Sequence, residues 1–403
     1  MLEISERLAE LESSGLRRRL RVIEGPQGPE VVLDGRPVLL LCSNNYQGLA
    51  DHPHLRRAAA DAALSLGTSA GASRLISGSM SIHADLESRL AEFEGTEAAL
   101  LFGSGYLANT GAIAAIAQRG EVVLSDELNH ASIIDGCRLA SAETVVYRHA
   151  DTEHLEWGLR RAAGRAALIV TDGVFSMDGD IAPLPELADL ARRYDCRLLV
   201  DEAHATGCIG PGGRGSVAAA GVTDEVDVIV GTLGKALGGY GAYVCGSREL
   251  MDFLINSARP FIFSTAPPPA SVATAGAALE LLAEQPKRVE RLQANAAALR
   301  EGLRSEGLEP IGSETQIVPL VIGEADDTMT LCERLLAEGV FAQAIRPPTV
   351  PPGTCRLRLT TMATHRIADL RHAARLIGEA ARHLDLTART SRKMVAAALH
   401  EAA

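Results

Sequence analysis

The chain has 403 residues, 47% hydrophobic and 22% charged, a composition that fits a globular protein of two or three domains. A net charge of −12 disfavours nucleic acid or an anionic membrane as partner, and no run of 18 apolar residues offers a spanning helix. Seven scattered cysteines without a CxxC pair argue for reduced thiols in a cytoplasm and against a structural metal.

Residues 1–50 read as an N-terminal arm. An acidic amphipathic helix runs to about residue 20, unlike a targeting peptide, and strands follow near 31–33 and 38–41. Helices are expected over 54–66 and 82–94. Seven apolar runs then recur, at 98–102, 122–124, 144–147, 167–171, 197–200, 226–230 and 242–245, most of them separated by helical patterns such as 183–194. This predicts an α/β fold: a mostly parallel seven-stranded sheet flanked by helices. Only a glycine-rich turn separates the last two runs, which predicts one antiparallel pair at an edge. Helices over 271–283 and 289–306 lead into a small C-terminal α+β domain, with strands at 316–322, 341–345 and 355–360 and helices at 328–338 and 367–383. The expected boundaries are 1–50, 51–285, 286–388 and a tail at 389–403.

Lysine is scarce. There are three, at 235, 287 and 393, against 36 arginines. Lys235 lies in Gly231-Thr-Leu-Gly-Lys-Ala-Leu-Gly-Gly-Tyr-Gly241, a glycine turn after the run at 226–230. Arginine cannot lose its proton in a protein. A desolvated lysine can, and its neutral amine forms Schiff bases. Read alone, Lys235 is also compatible with a strand-end lysine that reaches solvent. Asp201 ends another run, in Arg197-Leu-Leu-Val-Asp-Glu-Ala-His204. The Asp-Glu-Ala-His string invites a helicase-type nucleotide site, but the required upstream glycine-lysine loop is missing.

Lysine and aspartate at strand ends suit pyridoxal phosphate, which needs an amine for its aldehyde and a carboxylate to keep its ring nitrogen protonated. Its phosphate needs amide donors at a helix start, and the Gly-Ser-Gly turn in Leu101-Phe-Gly-Ser-Gly-Tyr-Leu-Ala-Asn109 offers one. His130, in Ser125-Asp-Glu-Leu-Asn-His-Ala-Ser132, could stack on a ring or simply cap a helix.

In chain order, Gly-Ser-Gly-Tyr, Asn-His-Ala-Ser, Thr171-Asp-Gly-Val-Phe-Ser-Met-Asp-Gly-Asp180, Val200-Asp-Glu-Ala-His-Ala-Thr-Gly207, Gly210-Pro-Gly-Gly-Arg-Gly215 and Thr232-Leu-Gly-Lys235 resemble the α-oxoamine synthases, from about residue 15 to about 383. These are fold-type I PLP-dependent transferases that join an amino acid to an acyl thioester with loss of carbon dioxide. The resemblance implies pyridoxal 5'-phosphate on Lys235, Asp201 at the ring nitrogen, His204 at the phenolic oxygen and His130 stacked on the ring. It places Ser176 in the cofactor pocket and makes Ser104, Gly105, Tyr106 and Thr232 phosphate contacts. It implies a homodimer with shared active sites, Thr265 reaching the partner's phosphate and Asn44 the partner's substrate. Arg358 matches a substrate-carboxylate arginine, although by alternation alone Arg356 and Arg358 read as the solvent face of a strand.

Gln47, where leucine is usual, and Asp172, where some members have glutamate, depart from the family pattern. Within the family, Ala344-Ile-Arg-Pro-Pro-Thr-Val-Pro-Pro-Gly-Thr-Cys-Arg-Leu-Arg-Leu-Thr360 and Ser264-Thr-Ala-Pro-Pro-Pro269 resemble members that use L-alanine with pimeloyl-CoA or pimeloyl-ACP. Asp172 and the Asn-Asn-Tyr string lean instead toward members that use glycine with acetyl-CoA. Arg17, following the first helix, matches a cation for the far end of the acyl chain. It also suits a helix C-terminus on dipole grounds alone.

Overall fold

Strands form where runs of Val, Ile and Leu lie between turn signals. The structure, a computed structural model, describes residues 3–312 and 314–386, so the tail expected at 389–403 lies outside the described residues. In chain order the strands are β1 (Ile23–Glu24), β2 (Glu30–Leu33), β3 (Arg36–Leu40), β4 (Ala98–Phe102), β5 (Val122–Asp126), β6 (Glu143–Tyr147), β7 (Ala166–Asp172), β8 (Arg197–Asp201), β9 (Val228–Thr232), β10 (Ala242–Gly246), β11 (Ile317–Gly323), β12 (Val340–Phe341), β13 (Ala344–Ile345) and β14 (Cys355–Thr360). The chain divides into a large unit, Asn45–Ser176 with Asp180–Glu290, and a small unit made of the residues up to Asn44, Met177–Gly179 and the residues from Arg291.

The large unit holds a seven-stranded sheet in the order β4-β10-β9-β8-β7-β5-β6. Successive residues face opposite layers, as pleating requires. Leu198 and Val200 pack with Leu86, Leu90 and Leu187 on one side, while Leu199 packs with Ala112, Ile113 and Leu254 on the other. The antiparallel strand is β10, but it is not at the edge. It runs opposite to both β9 and β4 and lies between them. A short turn forces the β9–β10 pair to be antiparallel, and β4 then adds to the free side of β10. Gly231 opposes Tyr243 in this pairing, and a Cβ at Gly231 would lie 2.1 Å from the tyrosine ring.

The small unit contains the sheets β1-β2-β3-β12 and β11-β14-β13, over a core that includes Leu299, Leu320, Leu331, Leu357 and Ile377. Residues up to Asn44 belong to this unit rather than forming an arm of their own. β3 pairs in parallel with β12, and the Thr360 amide donates to the Leu41 carbonyl at 2.8 Å. The first helix is Ile4–Ser13, shorter than expected, because Gly15 at φ +65° turns the chain and the Leu16 and Arg17 amides fold back onto Leu11. The strand expected over 341–345 is two strands. Phe341 pairs with Leu40, and Ala344 pairs with Leu357 in the other sheet. No described helix is long and apolar enough to cross a membrane.

Candidate active site

Ligands of open parallel sheets gather beyond the carboxyl ends of the strands. β4, β5, β7, β8 and β9 run the same way. Their carboxyl ends or following loops carry Ser104, His130, Asp172, Asp201 and Lys235.

Lys235 follows β9 in a turn closed by the Gly238 amide on the Lys235 carbonyl at 3.0 Å. Gly238 has φ +64°, and a Cβ there would press on the Leu49 backbone at 2.8 Å, so the turn requires glycine. The lysine Nζ is 2.8 Å from His204 Nε2, and His204 Nδ1 is 2.7 Å from the Tyr46 hydroxyl. His204 and Tyr46 are buried. Asp201 is also buried. Its Oδ2 accepts from Asn109 Nδ2 at 2.6 Å and its Oδ1 from the Ala203 amide at 2.8 Å. The carboxylate is thus fixed in place by two donors.

His130 caps the helix Ala131–Leu139, its Nδ1 2.7 Å from Ser132 Oγ. The same Ser132 oxygen accepts from Asn109 at 2.9 Å, so His130 and Asp201 share a hydrogen-bond chain. Desolvation lowers the His130 pKa; the Asp201 charge pulls it up and Lys235 pushes it down. The backbone of this turn is held by Asp172, whose Oδ2 accepts from the His130 amide at 2.7 Å. Burial and the nearby Asp201 charge raise the Asp172 pKa well above the carboxylate range, against the His130 amide bond. Ser176 lies in the loop beyond β7, whose Gly173 amide donates to the Asp201 carbonyl at 2.8 Å.

The helix Gly105–Ile116 starts at Ser104, whose Oγ accepts from the Leu107 amide at 3.3 Å. A Cβ on Gly105 would meet nothing within 4 Å, so this helix start is open to an anion. The Tyr106 hydroxyl donates to Asp135, raising the tyrosine pKa and lowering that of the acid. Thr232 Oγ1 donates to the Gly241 carbonyl at 3.2 Å. Thr265 is exposed and bridged to Ser73. An amine, a fixed carboxylate and an open helix start are what pyridoxal phosphate requires, and all three occur in the large unit.

The small unit carries the other expected residues. Arg358 Nη1 donates to Asn44 Oδ1 at 3.2 Å. Asn44, expected to serve the partner's substrate, therefore lies against the arginine of its own chain. Arg356 and Arg358 are buried rather than solvent-facing, and Arg356 pairs with Asp178. Burial pushes the neighbouring Cys42 thiol up to about 12, against the pull of Arg358. Arg17 is surface-exposed and ion-paired to Glu12 at 3.0 Å.

Sequence reasoning missed Asn109 and Tyr46. Asn109 stands four residues past the glycine turn, one helical turn in, and that spacing could have flagged it. Nothing local distinguishes Tyr46.

The family model for aminotransferase class I and II matches residues 36–377. The 8-amino-7-oxononanoate synthase of Geobacter sulfurreducens is 55% identical over 387 residues, covering 95% of this chain and 99% of its own length. The protein of the same name from Geobacter metallireducens is 56% identical over 378 residues, 93% of this chain and 96% of its own. Among solved structures, a serine palmitoyltransferase from S. paucimobilis with bound PLP matches at a TM-score of 0.90 and 34% identity, over 95% of this chain and 97% of that one.

Proposed function

The chain belongs to the aminotransferase class I and II family, and from that premise we propose that it joins L-alanine to a pimeloyl thioester, releasing the thiol and carbon dioxide and leaving 8-amino-7-oxononanoate for biotin synthesis. It is a fold-type I acyltransferase whose cofactor is pyridoxal 5'-phosphate. The observation that carries the substrate reading is the 55% identity along 99% of a relative of that name. The serine palmitoyltransferase matches as well in shape but at only 34% identity.

When bound, the cofactor supplies an aldehyde for amines and an electron-accepting ring. Lys235 would hold it through its amine and would then be placed to take the proton from the alanine Cα. The Lys235 amine is already hydrogen-bonded to His204, within reach of a second proton-handling group. Asp201, fixed by Asn109 and Ala203, keeps the ring nitrogen protonated by charge. His130 would help hold the cofactor ring, and the Gly105 helix start would offer amide donors to its phosphate. His204 hydrogen-bonds the oxygen on which negative charge collects as the thioester is attacked. Arg358, steadied by Asn44, grips the alanine carboxylate until it leaves as carbon dioxide. The enzyme works in the cytoplasm as a homodimer.

Steady-state kinetics test the substrate assignment. Alanine with pimeloyl-CoA or pimeloyl-ACP should exceed glycine with acetyl-CoA in kcat/KM by roughly a hundredfold, the scale on which apolar pockets discriminate. Efficient glycine–acetyl-CoA condensation overturns the reading. Arg17→Ala should weaken use of the free pimeloyl acid but not its methyl ester. Equal effects return Arg17 to its surface pair with Glu12.

A further inference from the structure

Resting on the reading above, the geometry points to Tyr46 as a positioning residue that lets His204 accept a proton bond at Nε2 in one state of the site and donate one in another. Tyr46 is fully buried, its hydroxyl 2.7 Å from His204 Nδ1, while Nε2 faces Lys235 Nζ at 2.8 Å. Once Lys235 has taken up a proton, its ammonium offers only hydrogens. Facing it, Nε2 must accept, so the neutral ring carries its proton on Nδ1 and the tyrosine oxygen accepts from it. Facing an oxygen that gathers negative charge, Nε2 must donate, and in a neutral ring Nδ1 then accepts from the tyrosine O–H. A carboxylate or carbonyl beside Nδ1 could serve only the first arrangement. A hydroxyl serves both.

The segment around Tyr46 is built to hold this contact. Asn45 Oδ1 accepts from the Leu49 and Ala50 amides at 2.9 and 3.1 Å. Gln47 Nε2 donates to the Gly207 carbonyl at 2.6 Å, three residues beyond His204. Arg288 donates to the Gln47 carbonyl at 3.1 Å. Gln47, a departure from the family pattern, thereby ties the tyrosine segment to the histidine loop. The two rings lie 5.9 Å apart and tilted, so the hydroxyl rather than ring stacking makes the link.

The test is long-range proton–nitrogen NMR on cofactor-free protein labelled at histidine. Wild-type His204 should be the Nδ1–H tautomer, and Tyr46→Phe, which removes the hydroxyl partner of that N–H, should shift the His204 Nδ1 resonance. An Nε2–H tautomer in the wild type overturns the proposal without any variant, and so do identical His204 nitrogen shifts in Tyr46→Phe. In the loaded enzyme Tyr46→Phe should lower kcat about a hundredfold, the scale of a general acid–base contribution, with the KM for alanine within about twofold. An unchanged kcat also counts against it. Failure of the substrate reading looks different: the wild type would not turn over alanine, and the tautomer result would stand.

Discussion

The carboxylate of Asp201 is held by two donors. Asp201→Asn keeps the size of the side chain and removes the charge. Alanine Cα-proton exchange and full turnover should both fall by about a thousandfold or more, because an amide cannot hold a ring nitrogen protonated by charge. Normal exchange in the variant would remove Asp201 from that role. At this scale the places of Asp201 and Lys235 beyond strand ends were legible in the sequence, since Asp201 closes an apolar run and Lys235 follows one in a glycine turn. Arg358 was not legible by alternation. Leu357 and Leu359 flank it as they would a solvent-facing residue, yet both arginines are buried, and alternation does not say whether a face is covered. Tyr46 was silent for another reason: its partner is 158 residues away in the chain, and no local pattern encodes such a pair.

The loop beyond β7 is pinned to the end of β5 by His149. Its Nδ1 is 3.1 Å from Asp126 and its Nε2 2.8 Å from Asp180, with the ring edge against Phe175 at 4.4 Å. Burial lowers the imidazole pKa, but the two carboxylates outweigh it and raise the value to about 10. The folded state therefore binds this proton more tightly than the unfolded chain. The resulting stability is fully present below the ordinary histidine value near 6.5 and is lost as pH rises through about 10. His149→Ala should cost on the order of 2 kcal/mol at pH 6.5, and its deficit should narrow by pH 10.5 in denaturant titrations. A deficit constant across that range would show that the imidazole charge contributes nothing. The strands themselves were readable, because seven apolar runs sit where the seven strands of the large sheet form. The interior place of β10 was not readable, because periodicity gives an element its faces and not its neighbours.

For the whole molecule, the proposal of a homodimer with shared sites can be tested through Thr265, which is exposed. Lys235→Ala and Thr265→Arg should each be inactive alone. Mixed under conditions that exchange subunits, they should regain about a quarter of wild-type activity. Half of the dimers are then mixed, and each mixed dimer has one intact site. No recovery in a verified mixture would mean that Thr265 serves its own chain. The order of the large sheet also has a consequence for how the molecule is made. β4 pairs only with β10, and Phe102 meets Ala242. As the chain leaves the ribosome, β4 must wait about 140 residues for its partner, on the order of ten seconds at ordinary synthesis rates. During that interval Ala99, Leu100, Leu101 and Phe102, all buried in the finished fold, have no strand to join. Nascent chains halted before residue 242 should therefore be bound by holdase chaperones at 98–102, and extension past residue 246 should release them, making the last strand of the sheet to be synthesised the step that commits the chain to its native state.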